Sequence, residues 1–400
     1  MEIKIGNAVL NEIPAWLSNH NFKYICVVQD INTKIAAGDR VCSLLASHGI
    51  KYSVFLFEEA SLHADEFAAD RLMKSVCNDA FDLILGIGSG TITDICKYVG
   101  YKANLSVAVA ATAPSMDGYA SKGAAITIGG MKVTPQTITP DAVFCDTDVL
   151  AAAPMELIAA GFGDMLGKHT ALADWRLANL LVDEHMPADL YGQMEDALNL
   201  CVDSVDGLEK RDKQAIESLT RGLVLSGRVM AAYGDSRPAS GTEHHLSHYW
   251  DMRLLAEGFN TPSHGHAVGV ALIEALRLYK NLPSSPAQPK PVNRRYIEKL
   301  IMDKYGANAD AVLSTQNPNL PFELILSKWS RIKDIANSLP KPDDAAALLR
   351  KLGGATRPAD VGISDELVKE SIVLARERKK TYTVLQLYGD LGLGLGLEFI

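Results

Sequence analysis

The stretch Asp82-Leu-Ile-Leu-Gly-Ile-Gly88-Ser-Gly-Thr91-Ile-Thr-Asp94-Ile-Cys-Lys97 runs from an apolar strand pattern through three glycines into a helical one. Glycines at such a junction let the backbone approach a diphosphate, and the helix N-terminus behind them aims free N–H groups and a favourable dipole at it. The segment also reads as an ordinary tight turn, because it is neither GxGxxG nor GxxxxGK[ST]. Without a P-loop lysine it argues against phosphoryl transfer. A Rossmann fingerprint follows the first strand, whereas this loop follows a later one.

The flanking sequence repeats the same alternation. Short β-branched runs at Tyr24–Gln29, Tyr52–Phe57, Asp82–Ile87, Ser106–Ala111 and Ala142–Cys145 are separated by amphipathic segments near 33–48, 64–79 and 91–102. Near-continuous apolar strands with helical crossovers predict a parallel sheet covered on both faces. Alternation, Gly-Gly and two prolines within 120–146 predict a hairpin or an excursion before the last strand. Beyond about residue 155 the strand signal ends, and the segments 185–209, 211–233, 266–281 and 322–338 carry helical periodicity, broken by Pro/Gly-rich connections at 282–292 and 352–363. The expectation is an α/β nucleotide-binding domain over residues 1–153 and an all-α domain over 154–400. The charge run Arg376–Lys380 reads as a solvated helix face.

Composition narrows the function classes. With 48% hydrophobic and 22% charged residues and only 17 prolines in 400, the chain can build a large core and is not low-complexity. A formal net charge of −9 disfavours binding to a phosphate backbone, so no nucleic-acid partner is expected. The six cysteines are scattered without a CxxC pair, which predicts reduced thiols. No run is apolar and long enough to span a bilayer, and the N-terminus lacks a signal-peptide pattern, so a cytoplasmic location is expected.

Three local patterns carry possible chemistry. Asp30 closes the run YICVVQD, where a carboxylate is placed either to receive ribose hydroxyls or to cap the following helix. Residues 241–248 read Gly-Thr-Glu-His-His-Leu-Ser-His, followed by Ser263-His264-Gly265-His266, so five of the ten histidines fall within one short stretch. Histidines four apart share a helical face, and a third ligand from the next element can complete an open catalytic metal site; the alternative is a histidine-rich polar surface. In Ala160-Gly-Phe-Gly-Asp164 the aspartate follows a GxG turn at the expected start of a helix, which reads as an N-cap or, with two histidines, as a His₂-carboxylate ligand. Asp117, between Met116 and Gly118, reads as a turn aspartate on a loop after an apolar strand, with Tyr119 as packing.

Taken in order, QDINTKIAAG (29–38), GSGTITD (88–94), TAPSMDGYAS (112–121), AGFGDMLGK (160–168), ADW (173–175), RPASGTEHHLSH (237–248) and His264-Gly265 resemble the family of glycerol dehydrogenase, dehydroquinate synthase and iron-dependent alcohol dehydrogenase, and within it the bacterial branch of the sn-glycerol-1-phosphate dehydrogenases. The resemblance covers nearly the whole chain. It implies a nucleotide domain, a helical domain and a metal in the cleft between them. Gly88, Ser89, Gly90, Thr91 and Ile92 would cradle the NAD diphosphate, with Asp30 on the adenosine ribose and Thr112, Ala113, Pro114, Ser115 and Ser121 lining the nicotinamide half; NADP is the alternative dinucleotide. Asp164, His244 and His264 would hold one divalent ion, nickel, zinc or iron. Asp117 and Asp164 would contact substrate and His248 would stand on the substrate side, leaving His245 and His266 as bystanders. The implied reaction is hydride transfer between the dinucleotide and dihydroxyacetone phosphate, giving sn-glycerol 1-phosphate, in a homodimer. The rival readings are a polyol dehydrogenase, a dehydroquinate-synthase-type lyase and a nucleotide-binding regulatory module with a vestigial metal site. Arg237 and Lys168 flank the motifs and are candidates for the phosphate or for surface ion pairs. Two departures stand out: Gly86-Ile87-Gly88 where many relatives have three glycines, and His266 where they have an acidic residue.

Overall fold

The runs at Tyr24–Gln29, Asp82–Ile87, Ser106–Ala111 and Ala142–Cys145 become strands buried nearly throughout, while Tyr52–Phe57 becomes one buried only at Phe57, in the computed structural model, which describes residues 1–59, 61–289, 294–315 and 319–393. Contacts divide the chain into two units. The first comprises Met1–Met165, Asp196–Ser236 and Lys351–Gly353, and the second Leu166–Glu195, Arg237–Arg350 and Gly354–Ile400.

In the first unit the strands are β1 (Glu2–Gly6), β2 (Tyr24–Asp30), β3 (Lys51–Phe57), β4 (Leu83–Gly88), β5 (Ser106–Ala111), β6 (Ile126–Ile128), β7 (Met131–Val133) and β8 (Ala142–Asp146). Six of them form a parallel sheet in the order β1-β8-β5-β4-β2-β3. β4 and β8 are buried at every position, as a sheet covered on both faces requires. β1 was not anticipated: it is a half-buried edge strand with only two strongly apolar residues, Ile3 and Ile5, and its pairing with β8 is specified 140 residues away. β6 and β7 form the expected antiparallel hairpin. Gly129 and Gly130 turn it with φ of 58° and 76°, the left-handed pair a two-residue loop needs.

The helices that matter for the site are α1 (Gly90–Ala103), α2 (Met155–Leu166) and α3 (Lys213–Tyr233), followed in the second unit by α4 (Thr242–Ala256) and α5 (His264–Lys280). α3 begins under the Asp212 carboxylate, which accepts from the N–H groups of Gln214 and Ala215, and stops at Gly234 with φ of 102°. It packs on β1, on the helix Thr147–Ala152 and on the turn Gly118–Ala120. The chain therefore returns to the sheet unit after leaving it, and the single boundary expected at 153/154 is not where it divides. An Ala/Leu-rich amphipathic helix carries an apolar stripe but no mark of which body that stripe covers.

Among its described residues the second unit holds helices and no strand, around a core that includes Leu246, Tyr249, Trp250, Ile301, Ile325, Trp329 and Ile332. The run Arg376–Lys380 departs from its expected solvated face. Arg376 and Glu377 are buried in a short 3-10 turn and paired at 3.0 Å, leaving Lys379 and Lys380 exposed. Residues 290–292 of the expected 282–292 connection lie outside the described residues. Cys26, Cys96, Cys145 and Cys201 are buried free thiols. Among the described residues no helix is long and apolar enough to cross a membrane.

Candidate active site

β2 and β4 are neighbours, with Val28 beside Gly86. From β2 the chain moves outward to β3, and from β4 it moves the other way to β5. Ligands of open α/β sheets bind at such a reversal, outside the carboxyl ends of the strands. Asp30 ends β2 and Gly88 ends β4, so the glycine loop that comes late in the sequence stands beside the strand that carries the aspartate.

The loop is tight by construction. A Cβ on Gly88 would lie 2.5 Å from the Ile92 Cβ, and one on Gly90 would lie 3.0 Å from the Met116 sulfur. Ser89 is extended (φ −93°, ψ −153°) and its side chain makes no capping bond, so the first N–H groups of α1 are not capped by it. Ile92 is 1% exposed; its side chain fills the space under Gly88, which leaves its main chain as the part that can meet a ligand. Asp30 is a cap: Oδ1 accepts from the N–H groups of Asn32 and Thr33, both at 2.8 Å, and the Asp30 N–H donates to Thr33 Oγ1 at 3.0 Å.

After β5, the Thr112 N–H donates to Gly88 O at 3.1 Å, tying this loop to the glycine turn. Tyr119 packs as expected, its buried hydroxyl donating to Ala113 O at 2.6 Å. The Ser121 hydroxyl is used inside the loop: it donates to Gly118 O (3.1 Å) and Gly123 O (3.2 Å) and accepts from Lys97 Nζ at 3.3 Å. Lys97, fully buried on α1, also donates to Gly118 O at 2.9 Å and to Gly123 O. Burial pulls this ammonium down to about 8 against the opposing pull of Asp94 and Asp117. Burial likewise pushes the Asp94 carboxyl up to about 6, opposed by Lys97 and by the Ala125 N–H. Sequence reasoning assigned Lys97 nothing; the signal available was a lysine on the inward side of an otherwise apolar helix.

Asp164 is not at a helix start. It lies near the end of α2, fully buried, and the GxG before it is helical rather than a turn. Gly161 is glycine for a packing reason, since a Cβ there would lie 1.8 Å from Pro114 O. This approach brings the loop after β5 onto α2, where the Asp117 N–H donates to Asp164 Oδ2 at 3.1 Å. The Asp117 carboxylate accepts the Ser226 hydroxyl of α3 at 2.7 Å.

In the second unit, His244 and His248 stand one turn apart on α4 and His264 begins α5. The ring centroids are 5.8 Å (His244–His248), 5.2 Å (His244–His264) and 5.6 Å (His248–His264) apart. His244 Nδ1 lies 2.8 Å from Glu243 Oε1. Glu243 also accepts the Gly241 N–H at 2.7 Å and the Thr170 hydroxyl at 2.5 Å. Burial opposes its charge, but the bonds from His244, Thr170 and Gly241 outweigh that and hold its carboxyl below its ordinary value. Asp174, of the ADW motif, anchors the same helix: it accepts from the Thr242 N–H (2.6 Å), the Tyr279 hydroxyl (2.6 Å) and the Val384 N–H (2.8 Å). His245 is buried, and burial followed by nearby Lys379, Arg378 and Arg237 holds it well below its ordinary pKa. His266 Nδ1 accepts the Ala355 N–H at 3.3 Å. Arg237 is 3% exposed and clasps Glu184 at 2.5 Å, Asp174 O at 2.7 Å and Tyr382 O at 3.2 Å, so it is a buried clasp and not a surface ion pair. Lys168 is fully buried.

A family model for iron-containing alcohol dehydrogenases matches residues 4–154. The chain is 34% identical over 387 residues to a glycerol-1-phosphate dehydrogenase [NAD(P)+] of Halalkalibacterium halodurans, covering 96% of this chain and 91% of the relative. It is 35% identical over 397 residues to one of Geobacillus thermodenitrificans, with the same coverage. The chain belongs to the glycerol-1-phosphate dehydrogenase family. The fold is also that of the crystal structure of sulfoacetaldehyde reductase from Bifidobacterium kashiwanohense in complex with NAD+, which matches with a TM-score of 0.65 at 14% identity, over 98% of this chain and 96% of that one. A family of dehydrogenases makes the chain an oxidoreductase.

Proposed function

We propose that this chain catalyses NAD-dependent interconversion of dihydroxyacetone phosphate and sn-glycerol 1-phosphate, with one divalent ion held by Asp164, His244 and His264. The observation that carries the reading is the match over 96% of the chain to two proteins named for this activity. The metal part is supported by donor chemistry: Asp164, His244 and His264 each offer one ligand atom of a kind that suits zinc, nickel or iron. The Glu243 contact to His244 Nδ1 fixes that ring and presents Nε2 as the donor, the usual support of a metal-binding imidazole. The dinucleotide part is supported by the Gly88–Gly90 turn, which brings main chain where side chains would not fit, and by the α1 N-terminus behind it.

When bound, the dinucleotide supplies hydride and the ion polarises the substrate oxygen. The protein's own residues do the rest. The main-chain N–H groups from Ser89 to Ile92 hold the diphosphate, and Asp30 takes the ribose through the oxygen that does not cap its helix. Thr112 to Ser115 and Ser121 form the loop on the nicotinamide side. Asp117 accepts hydrogen bonds from substrate and orients it. Reduction consumes one proton at the substrate oxygen, and His248, one turn from His244 on α4, would pass it inward. As a family reading, this also takes the enzyme to be cytoplasmic and a homodimer, which light scattering tests as twice the chain mass.

The deciding assay follows NADH oxidation with dihydroxyacetone phosphate and with dihydroxyacetone, then resolves the product enantiomer. Rapid turnover of the phosphate alone, giving the 1-phosphate, is expected. Equal use of dihydroxyacetone, or formation of sn-glycerol 3-phosphate, overturns the assignment.

A further inference from the structure

Asp117 is held at three points within the first unit. Its N–H donates to Asp164 Oδ2 at 3.1 Å. Its carbonyl lies close against α3, where a Cβ on Gly227 would come within 2.6 Å of it. Its carboxylate Oδ2 accepts the Ser226 hydroxyl at 2.7 Å, across 109 positions of sequence. Ser226 has no exposed surface and Asp117 is 8% exposed, so water competes little for that bond, and a hydroxyl–carboxylate bond in such surroundings is strong. A serine inside a helix ordinarily returns its hydroxyl to the carbonyl one turn back. Ser226 turns it outward to Asp117 instead.

The first two holds act on main chain and set where the loop lies. The third acts on the side chain alone. A carboxylate turns about its Cβ–Cγ bond in a broad well, so fastening one oxygen decides where the other points. We propose that Ser226 is a positioning residue for the reaction, fixing the rotation of the Asp117 carboxylate and thereby how that group meets the carbonyl substrate. The inference rests on the reading of Asp117 as a substrate contact. Ser226 belongs neither to the metal donors nor to the dinucleotide loop, so its loss falls on the carbonyl substrate.

The test compares wild type with Ser226→Ala as metal-loaded enzymes. It measures kcat and KM for dihydroxyacetone phosphate, KM for NADH, bound metal, and thermal melting. Ser226→Ala is expected to lower kcat/KM for dihydroxyacetone phosphate about tenfold to hundredfold, the size of a lost hydrogen bond to a charged group. KM for NADH and metal content stay at their wild-type values. In an Asp117→Ala background, which leaves the Ser226 hydroxyl no acceptor at this position, the same substitution costs less than about twofold, because the pair is already broken. An unchanged kcat/KM, a parallel loss in NADH affinity, or an equal loss in both backgrounds overturns the proposal. Should Ser226→Ala melt far below wild type, Ser226→Thr, which keeps the hydroxyl, and Ser226→Val, which has the same shape without it, carry the comparison. Activity that follows the hydroxyl supports the proposal, and activity that follows size overturns it. A wild type that neither binds nor reduces dihydroxyacetone phosphate overturns the functional reading and this inference with it, whereas an active wild type with an unimpaired variant overturns this inference alone.

Discussion

Replacing Gly161 by alanine puts a methyl group where Pro114 O now lies. The added Cβ would be 1.8 Å from that oxygen and 3.1 Å from the Ser115 Cα, and real Cβ contacts essentially never fall below 3.0 Å. Either α2 or the loop after β5 must therefore retreat by about 1.2 Å or more. Main chain gives way less readily than a side-chain tip, so the cost is that of overpacking a filled core, about 1–3 kcal/mol. In a unit of this size that lowers Tm by about 2–12 °C. The functional loss should be larger in proportion, because the moving segment runs from Thr112 to Asp117 and a misplacement of about 1 Å can cost on the order of a hundredfold in rate. Differential scanning calorimetry and steady-state NADH oxidation read the two effects separately. Gly192→Ala is the control: a Cβ there meets nothing within 4 Å, and it lies inside the helix Ala188–Asp203. That substitution should stabilise by about 0.5–1 kcal/mol and leave activity alone. If Gly161→Ala melts and turns over like wild type, the account of why α2 carries a glycine at this position is refuted.

Loss of His264 should remove the ion and most activity together, so His264→Ala is expected to lower turnover by orders of magnitude with bound metal falling in parallel. His266→Ala, which loses the Ala355 contact, should keep both; the reverse pattern in metal analysis reassigns the ligand. At Asp30, glycine removes the cap as well as the proposed ribose acceptor. KM for NADH should rise about tenfold to hundredfold, from the loss of a hydrogen bond worth about 1.5–3 kcal/mol. The NADPH/NADH ratio of kcat/KM should also rise, and a ratio that does not move leaves Asp30 a cap only. Burial, with Glu243 adding to it, pushes the Asp174 carboxyl up to about 6. The folded state therefore keeps a proton that the unfolded chain releases near its ordinary value of about 4. That contribution to stability is full below about pH 4 and is lost as pH rises through about 6. The stability of wild type relative to Asp174→Asn should accordingly fall by about 2–4 kcal/mol between those limits, and a difference that grows with pH contradicts the reading.

Local patterns determined a good deal. The unalternating runs of β2, β4, β5 and β8 announced a covered parallel sheet, because a strand buried on both faces has no polar side to show. The Gly88–Gly90 turn and the four-residue spacing of His244 and His248 were legible for the same reason: each is set by backbone geometry within a few residues. What tertiary structure alone decided is which distant pieces meet. β1 joined the sheet only through β8, and Ser226 lies 109 positions from the carboxylate it holds. The glycines before Asp164 looked like a turn, yet they are helical, and Gly161 is small because Pro114 O presses on it. Lys97, to which the sequence reading gave no role, and Arg237, read as a phosphate contact or a surface ion pair, are both buried clasps. Periodicity reports which face of an element is buried, since burial acts on each residue separately. The partner on that face is chosen by packing between segments far apart in the chain, where shape and hydrogen bonding select one neighbour among many of equal hydrophobicity.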